Sequence, residues 1–386
     1  MLLLQVDKTP IVTKSARRQV LLRPSGGAET VSYKTSKTRK KMSTATPLFT
    51  PIDDQPSDRG LSPAEIKRLK FQADTDQLVA AFHKDQLKLS NVDWVVTLFL
   101  IGVHVGALFA FMPMFFSWTA VAVCLVLHWA TCSIGICLGY HRYLAHKSMK
   151  LRAPAEFVAM ACGCLSGEGS PLTWAATHRL HHQKSDQEGD PHSPIVVNGI
   201  WSHILWLFPK RSTESSRILY RRYVPELVDR PLLQFFEKTF ALWLWGGGLV
   251  LLAAGWAIGG WQMGVSMVVW GMCVRMVAAY HSTWFVNSAT HLWGYRNYDT
   301  RDHSRNLWWV AILAYGEGWH NNHHAHPAVA PAGHKWWEFD ITWWSIKALR
   351  AVGLAYDVKD KLPVGRAADD SDHVSDIPEQ SVAGAA

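Results

Sequence analysis

Four apolar stretches in two close pairs constrain this chain more than any other feature of its sequence. Residues 92–112 and 116–139 are separated by a turn around Pro113, and residues 239–259 and 261–280 meet at Gly259–Gly260. At about 1.5 Å per helical residue, each stretch is long enough to cross the ~30 Å hydrocarbon layer of a bilayer. The pattern predicts an all-α integral membrane protein with four transmembrane helices in two hairpins. Composition enters here: 48% of residues are hydrophobic and 18% charged, with the apolar ones concentrated in these blocks. That distribution excludes a soluble multidomain chain and a disordered one. Cys124, Cys132, Cys137, Cys162, Cys164 and Cys273 lie in or beside apolar segments and form no CxxC pair. A disulfide framework and a zinc ribbon are therefore excluded.

Charge sets the orientation. The turns at 113–117 and 258–262 hold no Lys or Arg, whereas residues 1–90 hold sixteen, 139–238 thirteen and 281–386 nine. Positive charge favours the cytoplasmic side, so both termini and the long middle connection are expected there, as a cytosolic helical domain capping the spans. Trp94, Trp118, Trp256 and Trp261 fall near segment ends, where indole rings favour the headgroup level. Phe157–Leu165 and Ile200–Phe208 are too short to span and are expected at the interface or packed on the spans. The domain reading is a basic arm over 1–60 expected to be disordered, a membrane domain over 61–362 and an acidic tail over 363–386 expected to be disordered. Residues 1–41 read as a transit-like segment or as sequence upstream of the true start, since Met42 opens a more ordinary N-terminus.

Nineteen histidines are far above ordinary usage, and three clusters of them carry the chemistry. They are His141 with His146, His178-Arg-Leu-His181-His182, and His320-Asn-Asn-His323-His324. In an HxxHH run, about 100° per residue puts three imidazoles on one helical face. His141 and His146 stand about 140° apart on an α-helix, so they share a centre only if the helix ends or unwinds there; otherwise they serve different metals. Eight imidazoles exceed the four that one tetrahedral zinc takes and suit two metals of higher coordination. Asp186, Glu188, Asp190, Asp302 and Glu317 are candidates to orient the rings by accepting their outer N–H. His104 and His128 are isolated within spans, and interhelical hydrogen bonds are expected for them.

At these residues the chain resembles the membrane fatty-acid desaturases of the stearoyl, or delta-9, type. The resemblance rests on Gly139-Tyr-His-Arg-Tyr-Leu-Ala-His146, Thr177-His-Arg-Leu-His-His-Gln183 continuing to Asp190-Pro-His192, Asn287-Ser-Ala-Thr-His-Leu-Trp-Gly-Tyr295 and Gly316-Glu-Gly-Trp-His-Asn-Asn-His-His324. It covers roughly residues 61–362, and the wording is closest to cyanobacterial and plant-like forms. It implies two irons held by nine histidines, the eight above and His291, with Asn287 reaching one iron through water. It also implies O₂ as co-substrate and a cis double bond, at delta-9, as product. Trp174 and Trp284 resemble aromatics lining the family's acyl tunnel.

The resemblance leaves the acyl carrier open between CoA and glycerolipid. An Arg-Asp pair that helps hold CoA in the animal enzymes is Ala176-Thr177 here, although a second, basic pair is matched by Lys210-Arg211. The fused haem motif His-Pro-Gly-Gly is absent, since His326-Pro327 runs on to Ala-Val. Electrons are then expected from a separate carrier of the ferredoxin or cytochrome b5 type, drawn to a basic face. No nucleic-acid partner is expected. Two competitors stand beside this reading: a hydroxylase or ketolase on the same metal scaffold, and a polyhistidine metal-binding or transport protein. The latter needs polar residues lining the spans, where only His104, His128 and Arg275 stand out.

Overall fold

The computed structural model describes residues 62–363; the basic arm, Met42 and the acidic tail lie outside the described residues. The chain there is mostly helical, with a single pairing of two short strands, Lys150–Leu151 and Ala355–Tyr356. Three helical runs among the described residues are long and apolar enough to cross a membrane: Trp94–Phe111, Trp118–Ala145 and Pro231–Leu292. This is a membrane protein. Large side chains on these helices stand exposed, Val95 at 81% and Leu249 at 66%, an arrangement that water penalises and lipid does not.

Local chemistry starts and stops these helices. Asp93 Oδ1 accepts from the backbone N–H groups of Val95 and Val96, capping the first helix. Short 3₁₀ turns at Phe109–Phe111 and Pro113–Phe115 lead into Trp118, where Ser117 is the cap. The third run is 62 residues long but is broken at Gly259–Gly260, where Gly260 takes the left-handed φ of 76°. Beyond that break it folds back on itself. A Cβ on Gly255 would lie 2.6 Å from the carbonyl oxygen of Met263, and one on Gly264 would lie 2.8 Å from that of Leu252. Small residues are what let two helices approach so closely in lipid.

The helices outrun the expected spans. The second continues to Ala145 rather than ending at 139, and the last to Leu292 rather than 280. The second helix, at 28 residues, is longer than the roughly 20 that cross the ~30 Å hydrocarbon layer. The excess carries His141, Asn287 and His291 beyond the apolar zone. Arg275, buried within the last run, donates to the carbonyls of Gly271 and Leu165 and to Thr131 Oγ1. His104 and His128 likewise find partners on other elements, His281 at 3.3 Å and the Tyr315 hydroxyl at 2.6 Å.

The two weaker apolar blocks pack on these rods. Ala153–Ser166 lies against residues 129–145, with Gly163 leaving room for the Tyr140 ring. Gly199–His203 lies against the last helix, where Ser202 donates to the Asn287 carbonyl. Pro171–Lys184 and the short His320–Ala325 helix complete the frame around the histidines.

Candidate metal centre

The rings of His141 and His146 come together by a different route from the one the sequence suggests. From Trp129 to Ala145 the helix is π-wound, and the N–H of His146 bonds to the carbonyl of His141, five residues back. The helix does end at this point, but it widens before ending instead of unwinding. In i→i+5 winding the fifth residue comes round above the first, and such turns collect at functional sites. Both rings join one group rather than serving different metals.

The imidazoles form two cages. His141, His146, His178, His182 and His323 make the first, each offering a nitrogen within 4.8 Å of all the others. His181, His291, His320 and His324 make the second on the same criterion. The two HxxHH helices straddle both. Nε2 faces Nε2 at 2.7 Å between His146 and His178, 2.9 Å between His182 and His323, and 3.0 Å between His141 and His323. His291 and His320 face each other at 3.1 Å. Two nitrogens each about 2.1 Å from one metal and at right angles to it would lie ~3.0 Å apart, so these separations fit ligand sets. His181 and His324 keep buried Nε2 atoms with no protein partner. Two metals thus fit the donors, and nitrogen-only sets suit iron among other first-row ions.

Carboxylates hold the rings from outside. Nδ1 of His181 donates to Asp190 at 2.9 Å, that of His291 to Asp186 at 2.9 Å and that of His324 to Asp302 at 2.6 Å. His141 Nδ1 approaches Glu317 Oε2 to 2.9 Å, off the line of a directed bond. A carboxylate can only accept, so each of the three hydrogen bonds, at His181, His291 and His324, puts the proton on Nδ1 and leaves the Nε2 lone pair facing the cage. Glu188, the fifth candidate, is exposed and takes no such part. Burial and then neighbouring imidazoles push His178, His182, His320 and His323 well below the usual histidine range, so all four are neutral. Burial works against the charge on Glu317, yet Arg142 and His141 outweigh it and hold its carboxyl at about 2.

Two spaces that share lining residues reach this centre. A pocket of ≈ 50 Å³ lies against His141, His178, His181 and His320, with Asn287, Cys132, Ile136 and Ala314 on its other walls. Trp174, His178, Thr283 and Asn287 also line a cavity of ≈ 860 Å³ that runs past Trp284 to Arg211. Trp174 stacks on His178 with ring centres 5.0 Å apart. Lys210 is exposed and does not line the cavity, so only half of the basic pair reaches it.

Residues 116–359 match the family model described as fatty acid desaturase. The chain belongs to that family. It is 46% identical to an sn-1 stearoyl-lipid 9-desaturase of Anabaena variabilis over 70% of its own length and 94% of that protein. It is 44% identical to an sn-2 palmitoyl-lipid 9-desaturase of a Nostoc strain, covering 70% and 92%. A more distant relative, an acyl-CoA C20 delta-5 desaturase of Anemone leveillei, is 39% identical, with 70% and 83% covered. The desaturase is an oxidoreductase that acts on paired donors with O₂.

Sequence reasoning missed several residues of this desaturase's site. Arg142 lies inside a quoted motif but bonds Glu317, Asp340 and the Ala330 carbonyl, contacts no local pattern betrays. Glu168 lines the large cavity, accepting from the Thr283 hydroxyl at 2.9 Å and Trp174 Nε1 at 3.3 Å. His192 packs its ring 4.3 Å from that of His181; its place in the Asp190-Pro-His192 motif was the available signal.

Proposed function

We propose that this desaturase installs a cis double bond at delta-9 of a saturated acyl chain carried on a membrane glycerolipid. The observation that carries the reading is the pair of histidine cages at the inner end of an apolar cavity. The names of the cyanobacterial relatives support the bond position and the carrier. We further propose four crossings, the last two meeting at Gly259–Gly260, with both termini and the histidines on the cytosolic side; the charge distribution supports this. The first cage holds one iron and the second another, with Asn287 beside the second. Two bound irons supply, from O₂ and two electrons of a separate ferredoxin or cytochrome b5 type carrier, the oxidant for an unactivated methylene pair.

The protein's own part is positional. Carboxylates fix the outer N–H of His181, His291 and His324, Trp174 and Thr283 confine the chain beside the cages, and apolar walls keep water from the reacting carbons. Expression in a desaturase-deficient host, followed by fatty-acid analysis resolved by lipid class, tests the proposal. The expected product is lighter by two hydrogens and appears in glycerolipid, and His181→Ala abolishes it. A product heavier by one oxygen would mark a hydroxylase, and retained activity in the variant would remove His181 from the centre.

A further inference from the structure

The large cavity has a side opening. Val95 and Leu98 on the first helix and Ala241 and Trp245 on the third all line it, yet all are also exposed on the outer surface. Both helices pack on residues 269–274 more closely than on each other. Between them stands an edge-to-face pair, Phe99 against Trp245, with ring centres 5.7 Å apart, beside the buried cluster that holds Leu100, Val103 and Leu244. The opening sits in the first turns of the first helix, at the end of the apolar zone nearest the histidines.

The far wall carries Arg211. Its guanidinium lies over the rings of Phe82 and Trp206, at 4.8 Å and 5.6 Å. It has no carboxylate partner among the described residues, and nearby Asp93 is engaged as a helix cap. A cation left unpaired beside an apolar slot suits the oxygens of a lipid's polar end. A diacyl lipid cannot readily leave the bilayer, since the cost of extraction rises with every methylene withdrawn. Only one of its chains needs to reach the cages.

We propose that the acyl chain is admitted sideways from the bilayer between Val95–Phe99 and Ala241–Trp245, with Phe99 and Trp245 as the gate. The glycerol unit and second chain stay in the membrane while Arg211 meets the polar end. This inference rests on the glycerolipid reading above and adds the path and its gate.

The test uses iron-loaded full-length enzyme, an electron donor and vesicles of distearoyl glycerolipid, without CoA or ATP. Leu98→Trp and Ala241→Trp fill the slot and are expected to lower turnover at least tenfold at wild-type iron content. Leu249→Trp, exposed to lipid on the same helix but away from the cavity, should stay within twofold of wild type. Wild-type turnover in both slot variants would overturn the route while leaving the carrier reading intact. Wild-type enzyme that converts stearoyl-CoA and ignores the glycerolipid would overturn the carrier reading and the route together. Should the bulky variants lose iron, Trp245→Ala decides. A kcat/KM for glycerolipid raised twofold or more supports the gate, and an unchanged value overturns it.

Discussion

The proton on each outer ring nitrogen is where single residues matter most. Candidate carboxylates were legible because they sit near the boxes, but their partners were not: Asp186 serves His291, 105 positions away. Only packing decides such pairs, and only packing leaves Glu188 out. Glu168 was invisible, since an isolated acid in a short loop reads as solvated surface. In the fold its open area faces the cavity, and burial pushes its carboxyl up to about 7, against the hydrogen bonds of Thr283 and Trp174. It is therefore neutral below that value and charged above it. The folded state holds this proton more tightly than the unfolded chain, whose carboxyl titrates near 4.5. The stability due to Glu168 is thus present at acid pH and lost as pH rises from there towards 7. A charge in the acyl cavity opposes chain binding, so KM should climb as pH passes about 7. Glu168→Gln should flatten that climb; a wild-type KM profile identical to the variant's would refute the role.

The histidine boxes were readable by their spacing, whereas the widened helix that seats the first box was not. Nothing in the sequence of Trp129–Ala145 signals the i→i+5 winding found there. His291 came from the resemblance alone; in the fold it stands one turn beyond Asn287, on the overhang of the last helix. The elements divide the donors sharply: the helix ending at His146 feeds only the first cage, and the helix bearing His291 only the second. Loss of one donor should therefore be felt by one metal. His146→Ala and His291→Ala are each expected to lower iron from about two to about one per chain. Elemental analysis of purified protein checks this, and full loss in either variant would show that the two cages fill only together.

Across the molecule, the apolar stretches were legible in hydropathy, and the fold-back at Gly259–Gly260 in two adjacent glycines. The lengths of the helices were not, because hydropathy marks where lipid ends and not where a helix does. Among the ties between the membrane part and the last third of the chain, which include His128–Tyr315 and Ser133–Thr342, Arg142 makes the charged one. It reaches Glu317 at 2.9 Å and Asp340 at 2.8 Å, all three buried. Removing one member of such a network strands the others, typically at a cost of about 3–5 kcal/mol. Arg142→Leu should melt well below wild type in detergent and bind iron poorly, whereas an unchanged melting temperature would show that the network is dispensable. The position of His320–Ala325 has a consequence for biogenesis. Both cages need donors from this late segment, so neither is complete until all three apolar runs have been synthesised. Metal capture is then a closing event in maturation, and a chain stopped short of residue 320 would reach the membrane without either site.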